Sequence, residues 1–257
     1  MSNIKKAFTN GKAFIGFLTA GDPSLEKTAE FILSMADAGA DLIEIGIPFS
    51  DPIAEGPVIQ KANVRALSAG TSLPKIFEMV GSVRLKTKIP LVFLTYLNPV
   101  FTYGYDHFFR DCSEYGVDGV IIPDIPFEEK GELLPFSEKY NVDIISLIAP
   151  TSEARIGRIV SEAKGFIYCV SSMGVTGVRE EIKTDLPSII RSIRSVTDLP
   201  TAVGFGISTP EQAFEISRYS DGIIVGSAIV KLIEEHGEAA GKPLFNYVQK
   251  MKQAISK

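Results

Sequence analysis

One carboxylate stands inside an apolar run. Leu42-Ile-Glu-Ile-Gly-Ile47 carries Glu44 among isoleucines. If the run is a strand, Leu42, Glu44 and Gly46 share one face, and Ile43, Ile45 and Ile47 share the other. In a sheet covered on both sides, an acid on the first face is desolvated, its pKa is raised, and it is suited to exchanging a proton with a substrate. The bland alternative is a core Glu tied to an Arg or Lys, yet none of the strand-like runs contains a basic residue. A second carboxylate, Glu55, lies between Ala54 and Gly56 in the Pro- and Gly-rich loop that follows. From there it can fold over a bound ligand. Two carboxylates on opposite sides of a pocket divide acid and base work when their environments separate their pKa values. Asp22, Asp51 and Asp124 also lie at or just beyond strand ends. Acids there often serve only as turn formers, which suits Asp22 before Pro23.

A different chemistry is written in the glycines of the later loops. Gly174-Val-Thr-Gly177, Gly204-Phe-Gly206 and Gly226-Ser227 each follow a strand-like run, the last just before a short helix. Glycine lets main-chain N–H groups approach an anion, and a helix start adds its dipole. Any one of these is an ordinary tight turn; together at adjacent strand ends they read as a phosphate cradle.

These residues need a scaffold that brings strand ends together. Apolar runs at Ala13–Thr19, Leu42–Ile47, Pro90–Thr95, Gly119–Asp124, Val142–Ile148, Gly165–Val170, Pro200–Phe205 and Asp221–Val225 alternate with helical patterns. Ser24 is placed to cap the helix Leu25–Ala38, and Thr209 with Pro210 opens the seventh helix. A helix carrying Phe108 and Phe109 runs to about Tyr115, and Phe127–Tyr140 reads as one helix opened by Glu128 and Glu129. Thr151 begins the next helix, and Pro243–Ser256 closes the chain. Eight strand–helix units in 257 residues predict a single α/β domain over residues 1–257, a (β/α)8 TIM barrel, for which about 250 residues is typical. An open doubly wound sheet is the runner-up, although the barrel leaves no edge strand.

Composition narrows the function. Charged residues are 22% of the chain, near the globular average of about 25%, so disorder is not expected. The net charge of −5 without a dense basic run argues against nucleic acid and against an anionic membrane surface. Cys112 and Cys169 are isolated, which suits a reducing, cytoplasmic setting and gives no metal-site spacing. Two histidines, His107 and His236, leave little for a histidine metal site or a Ser-His-Asp triad. No run reaches the ~18 apolar residues of a membrane span, and the first residues lack the core of a signal peptide.

With these residues in place, the chain resembles the tryptophan synthase alpha-subunit family along nearly its whole length. The resemblance is carried by Leu42-Ile-Glu-Ile-Gly-Ile-Pro-Phe-Ser-Asp-Pro52 with Gly56-Pro57 and Gln60, by Pro123-Asp-Ile-Pro126, Gly174-Val-Thr-Gly177, Gly204-Phe-Gly-Ile207 and Gly226-Ser-Ala-Ile-Val-Lys231, with Phe17-Leu-Thr-Ala-Gly-Asp-Pro23 at the first strand end. It implies a lyase that cleaves indole-3-glycerol phosphate to indole and glyceraldehyde 3-phosphate by a retro-aldol reaction, without metal or organic cofactor in this chain. It makes Glu44 the catalytic glutamate. It makes Glu55 the second carboxylate, which hydrogen-bonds the indole N–H, at a position where the family more often has Asp. It places Phe17, Leu94, Tyr96, Ile121 and Tyr168 around the substrate, with Thr176 closing over it and positioning Glu44. It assigns the phosphate to Gly177, Phe205, Gly206, Gly226 and Ser227. It also implies a beta subunit, which carries pyridoxal phosphate, receives indole internally within an alpha-beta-beta-alpha heterotetramer, and is faced by Asp51 and Pro52. A stand-alone indole-releasing lyase, a non-catalytic regulatory subunit and another phosphosugar barrel are the competing readings. The last lacks its histidines, and an intact pair of carboxylates argues against the regulatory subunit.

Overall fold

The computed structural model describes residues 3–170, 185–204 and 206–256. In it, β1 (Ala13–Thr19) and β2 (Leu42–Gly46) are buried at every position, as strands of a sheet covered on both faces must be. They are followed by β3 (Leu91–Leu94), β4 (Gly119–Ile121), β5 (Asp143–Ile144), β6 (Ser146–Ile148), β7 (Ile167–Val170), β8 (Thr201–Gly204) and β9 (Gly222–Val225). All pairings are parallel, in the order β5-β4-β3-β2-β1-β9-β8-β7-β6. The two ends of that order are halves of one strand, expected as Val142–Ile148 and interrupted at Ile145. One half pairs with β4 and the other with β7, so this strand joins both ends of the sheet and closes the barrel. Nine segments, two of them halves of one strand, make eight staves, and the open-sheet alternative falls.

The two faces of the strands sort as period-two alternation requires. Ile15, Leu42, Val92, Ile121, Tyr168, Ala202 and Ile224 form the inner cluster. Phe14, Ile43, Ile45, Phe93, Val120, Val203 and Ile223 belong to the cluster shared with the helices. A one-residue slip would exchange the sets, so the register is strongly specified. Ile4 and Ala7, on a 3-10 turn over Ile4–Phe8, join the inner cluster and plug the N-terminal end. Asn3 fastens that plug by donating from its backbone N (3.0 Å) and Nδ2 (3.1 Å) to Asp118 Oδ1.

The helices are α1 (Leu25–Asp37), α2 (Pro57–Ser68), α3 (Leu73–Arg84), α4 (Leu97–Tyr103), α5 (Tyr105–Tyr115), α6 (Leu134–Tyr140), α7 (Ile156–Ser161), α8 (Leu186–Arg194), α9 (Pro210–Ser217), α10 (Ser227–His236) and α11 (Gly241–Ile255). Ser24 caps α1 by accepting from Lys27 N at 3.2 Å, and Thr209 with Gln212 forms a capping box on α9. Three helices differ from expectation. The Phe108 helix is preceded by α4, from which it is separated by Gly104 at φ 89°, a conformation that interrupts helical geometry. The stretch Phe127–Tyr140 is reduced to a 3-10 turn at Lys130–Glu132 and the seven residues of α6, because Pro135 is tolerated only in a first turn. The helix expected from Thr151 is a 3-10 segment, Pro150–Arg155, before α7. Regular helix is therefore sparse on both sides of the interrupted strand.

Candidate active site

A cavity of about 550 Å³ opens at the C-terminal ends of the strands, within the roughly 300–1,000 Å³ usual for small-molecule sites. Register puts Phe17, Glu44 and Val92 side by side on β1, β2 and β3. Glu44 shares the inward face with Leu42 and is only 1% exposed. Among the described residues its Oε1 has no hydrogen-bond partner and it forms no ion pair. Burial alone pushes its carboxyl pKa up to about 8, so at neutral pH Glu44 holds a proton it can give away.

Glu55 lines the same cavity and is buried, at 5% exposure. Its carboxylate Oε2 accepts from Asn63 Nδ2 at 2.6 Å, and Gln60 Nε2 donates to its backbone O at 2.7 Å. Both donors belong to α2 and lie three residues apart, hence on one helical face. From the other side, Ala54 N donates to Tyr96 Oη at 3.0 Å. The loop was expected to be free to fold over a ligand. Instead it is tied at both flanks, with the Glu55 carboxylate already inside the cavity. Burial raises the Glu55 pKa to about 7, opposed by the Asn63 hydrogen bond. Asn63→Leu removes that opposition, so the Glu55 pKa is expected to move above about 7. Carboxyl-carbon NMR titration reads this directly, and an unmoved or lowered pKa would contradict it.

Phe17, Leu94, Tyr96 and Tyr168 line the same cavity. Two strand-end glycines make room for its rings. A Cβ on Gly46 would lie 2.7 Å from Phe17 Cζ, and one on Gly204 would lie 2.6 Å from Tyr168 Oη. Gly204 therefore serves ring packing. Ile121 is fully buried in the inner cluster and is not among the residues lining the cavity. It belongs to the inner layer of the barrel, and its expected place against the substrate stays a proposal. Gly206, Gly226 and Ser227 stand together on the cavity wall, and Gly206 has φ 82°, which favours glycine. Ser227 begins α10, whose first N–H groups have no intrahelical acceptor. Thr176, Gly177 and Phe205 lie outside the described residues, as does the Gly174–Gly177 motif.

A family model described as tryptophan synthase alpha chain matches residues 2–256. The chain belongs to the tryptophan synthase alpha chain family. A curated tryptophan synthase alpha chain from Lactiplantibacillus plantarum is 49% identical over 256 residues, covering 99% of this chain and 97% of its own. Among solved structures, Mycobacterium tuberculosis tryptophan synthase superposes with a TM-score of 0.91 at 33% identity, covering 100% of this chain and 99% of that one. The tryptophan synthase α2β2 complex from Pyrococcus furiosus gives 0.88 at 35% identity, covering 95% and 99%.

The remaining acids of this family member separate into structural and exposed. Asp22, 2% exposed, accepts from Arg65 Nε and Nη2, both at 2.8 Å, and Asp124 accepts from Leu97 N at 2.9 Å at the start of α4. Asp51 is exposed and Pro52 half-buried, on the outside of the loop that carries Glu55. Sequence reading missed Asn63, Arg65 and Lys130. A trace of Asn63 was available, since it falls on the buried stripe of α2 with Ile59, Ala62 and Ala66. Lys130, buried and lining the cavity, sits in the broken helix, where no periodicity marks its direction. Among the described residues, no group of three or more His, Cys, Asp or Glu can hold a metal ion, and no helix is long and apolar enough to cross a membrane.

Proposed function

We propose that Glu44 and Glu55 divide the proton transfers of the lyase reaction of this family, the cleavage of indole-3-glycerol phosphate into indole and glyceraldehyde 3-phosphate. The observation that carries this assignment is one cavity holding two buried carboxyls in unlike surroundings: Glu44, whose Oε1 has no partner among the described residues, and Glu55, anchored by Asn63. Glu44, protonated below about pH 8, delivers its proton to C3 of the indole ring. Positive charge develops at the ring nitrogen, whose N–H donates to the Glu55 carboxylate. As the bond between C3 and the glycerol carbon breaks, the adjacent hydroxyl becomes the aldehyde and its proton returns to Glu44. Proton count is conserved, and the enzyme ends as it began. Such positioned acid–base groups are worth roughly 10²–10⁴ in rate.

Phe17, Leu94, Tyr96 and Tyr168 supply the apolar slot that a flat ring needs. Gly206, Gly226 and Ser227, with Gly177 and Phe205, hold the phosphate on main-chain amides, and Thr176 closes over the substrate. Gly206→Arg places a bulky side chain at a left-handed backbone position in that cradle. It should weaken inorganic phosphate binding at least about tenfold by calorimetry; unchanged affinity would move the phosphate elsewhere.

The chain acts as the alpha subunit beside a beta subunit in an alpha-beta-beta-alpha heterotetramer, with indole passed between them. Asp51 and Pro52 face that partner, next to Ile53, which is 74% exposed. Pyridoxal phosphate belongs to the beta subunit. We assign no cofactor to this chain, a single barrel domain over residues 1–257 and a cytoplasmic location. Indole release from indole-3-glycerol phosphate, measured with the chain alone and with equimolar beta subunit, tests the whole reading. Slow release that rises on adding the partner is expected. Fast, partner-independent release would point to a stand-alone lyase, and none in either case to a regulatory subunit.

A further inference from the structure

Beyond the lining assigned above to the cleavage reaction, the cavity has a second group of lining residues, its second arm. Besides the residues around Glu44, it is lined by Phe127 and Lys130 after β4, by Ile144 and Ser146 of the interrupted strand, and by Arg155 and Ile159 beyond it. Ile144 and Ile148 belong to the helix-facing core, and Ser146 alternates with Leu147 on the same parity as Ile148. This arm therefore lies between the barrel wall and the helical layer, where regular helix is sparse.

Lys130 is the anomaly there. Only 6% of it is exposed, whereas lysines normally carry their ammonium to water. Its Nζ has three protons to donate, and among the described residues the single hydrogen bond it makes is to Ser146 Oγ at 3.3 Å. No carboxylate lies within ion-pair distance of it among the described residues. Asp143 and Glu162 act on it only through space, with Lys164 opposing them, and burial draws its pKa down. Arg155, the other cation of the arm, is already engaged, donating to the Glu128 carboxylate at 2.7 and 2.5 Å. A desolvated ammonium with unused donors, facing a cavity, is a costly arrangement unless an anion completes it.

We propose that this arm is a second binding site, for a small organic carboxylate whose anionic end pairs with Lys130 Nζ beside Ser146 Oγ and whose apolar body fills the space among Phe127, Ile144 and Ile159. The charge class follows from one unpaired monovalent cation. The apolar body follows from the walls: a hydrated phosphate dianion would forfeit donors here, while an aryl or alkyl carboxylate buries its hydrocarbon. The site is independent of Glu44, so the two assignments stand or fall separately.

Benzoate and its neutral isostere benzamide are the probes, titrated by calorimetry into the full chain with and without saturating indole. Saturable benzoate binding is expected, at least about tenfold tighter than benzamide, as a charge-assisted contact requires, and retained when indole fills the catalytic arm. Lys130→Met, which keeps the side-chain length and removes the charge, should lose about tenfold or more in benzoate affinity and leave benzamide unchanged. Absence of benzoate binding, equal affinity for the two probes, displacement of benzoate by indole, or unchanged binding in Lys130→Met would each overturn the proposal. Inorganic phosphate that binds more tightly than benzoate and loses that affinity in Lys130→Met would overturn the carboxylate class, whereas phosphate binding indifferent to Lys130 belongs to the proposed cradle at Gly206, Gly226 and Ser227. The two-probe comparison on the unaltered chain decides the matter even if Lys130→Met fails to fold.

Discussion

Glu44→Gln is expected to lower indole release from indole-3-glycerol phosphate by roughly 10²–10⁴-fold while substrate still binds. Gln keeps the volume and one hydrogen-bonding amide, so the cavity and its aromatic slot are preserved. What is lost is the proton, which neither neighbouring candidate among the described residues replaces: Glu55 is committed to Asn63, and burial raises the Tyr168 hydroxyl pKa, with the nearby Glu44 raising it further. Retained turnover in the variant would end the assignment of Glu44.

The same substitution carries an opposite effect on stability. An unfolded Glu ionises near 4.5, while folded Glu44 keeps its proton up to about 8. Between those values the folded state binds more protons than the unfolded state, so stability falls as pH rises through the window. Gln does not ionise. The melting temperature of Glu44→Gln should therefore exceed that of the unaltered protein above pH 8, and the two curves should converge toward pH 4.5. Parallel curves across this range would mean that Glu44 is not held protonated. Gain of stability with loss of turnover is the pattern of a group kept in a costly place for its chemistry.

Arg65→Met is expected to destabilise the fold by roughly 3 kcal/mol, about 6–12 °C of melting temperature for a chain of this size. Arg65 projects from α2 and grips Asp22 in the loop after β1 with two 2.8 Å hydrogen bonds, and it reaches Glu234 of α10 at 3.2 Å. Removing it leaves the Asp22 charge in a site that is 2% exposed, and an uncompensated buried charge dominates the cost. The contact with Glu234 contributes little, because both partners are about one-third exposed (33% and 36%). Adding Asp22→Asn to Arg65→Met should recover most of the loss, since the charge that lacked a partner is gone. Calorimetric melting of the two single variants and the double variant measures this coupling. A loss below about 0.5 kcal/mol in Arg65→Met would show that water reaches Asp22. The pair matters to the site because α2 also presents Asn63 to Glu55, while α10 begins at the proposed phosphate cradle.

Much of this protein was legible in its chain because the relevant signals are local. Period-two apolar runs, a Ser24 cap, and the Thr209 cap followed by Pro210 each depend on a few neighbouring residues, and each stands where it was expected. Counting such units was enough for the barrel, and the parity of one strand was enough to aim Glu44 inward. The sequence reading failed where a local signal was absent or ambiguous. Pro135 broke a helix that acids at its start had suggested.

Other properties exist only once distant segments meet. The raised pKa of Glu44 comes from burial on every side, which no single strand provides. Glu55 becomes a fixed group, not a mobile one, through Asn63 of α2 and through Tyr96, 42 residues from Ala54. Asp22 and Glu55 look alike in the sequence, two acids in polar loops; Arg65 beside one and a cavity beside the other give them different work. Lys130 reads as one more surface lysine until the barrel wall and the helical layer close around it. Residue type and local period determined the scaffold and the direction of its side chains. Desolvation and partner geometry, which are sums over the whole fold, decided which of those side chains can do chemistry.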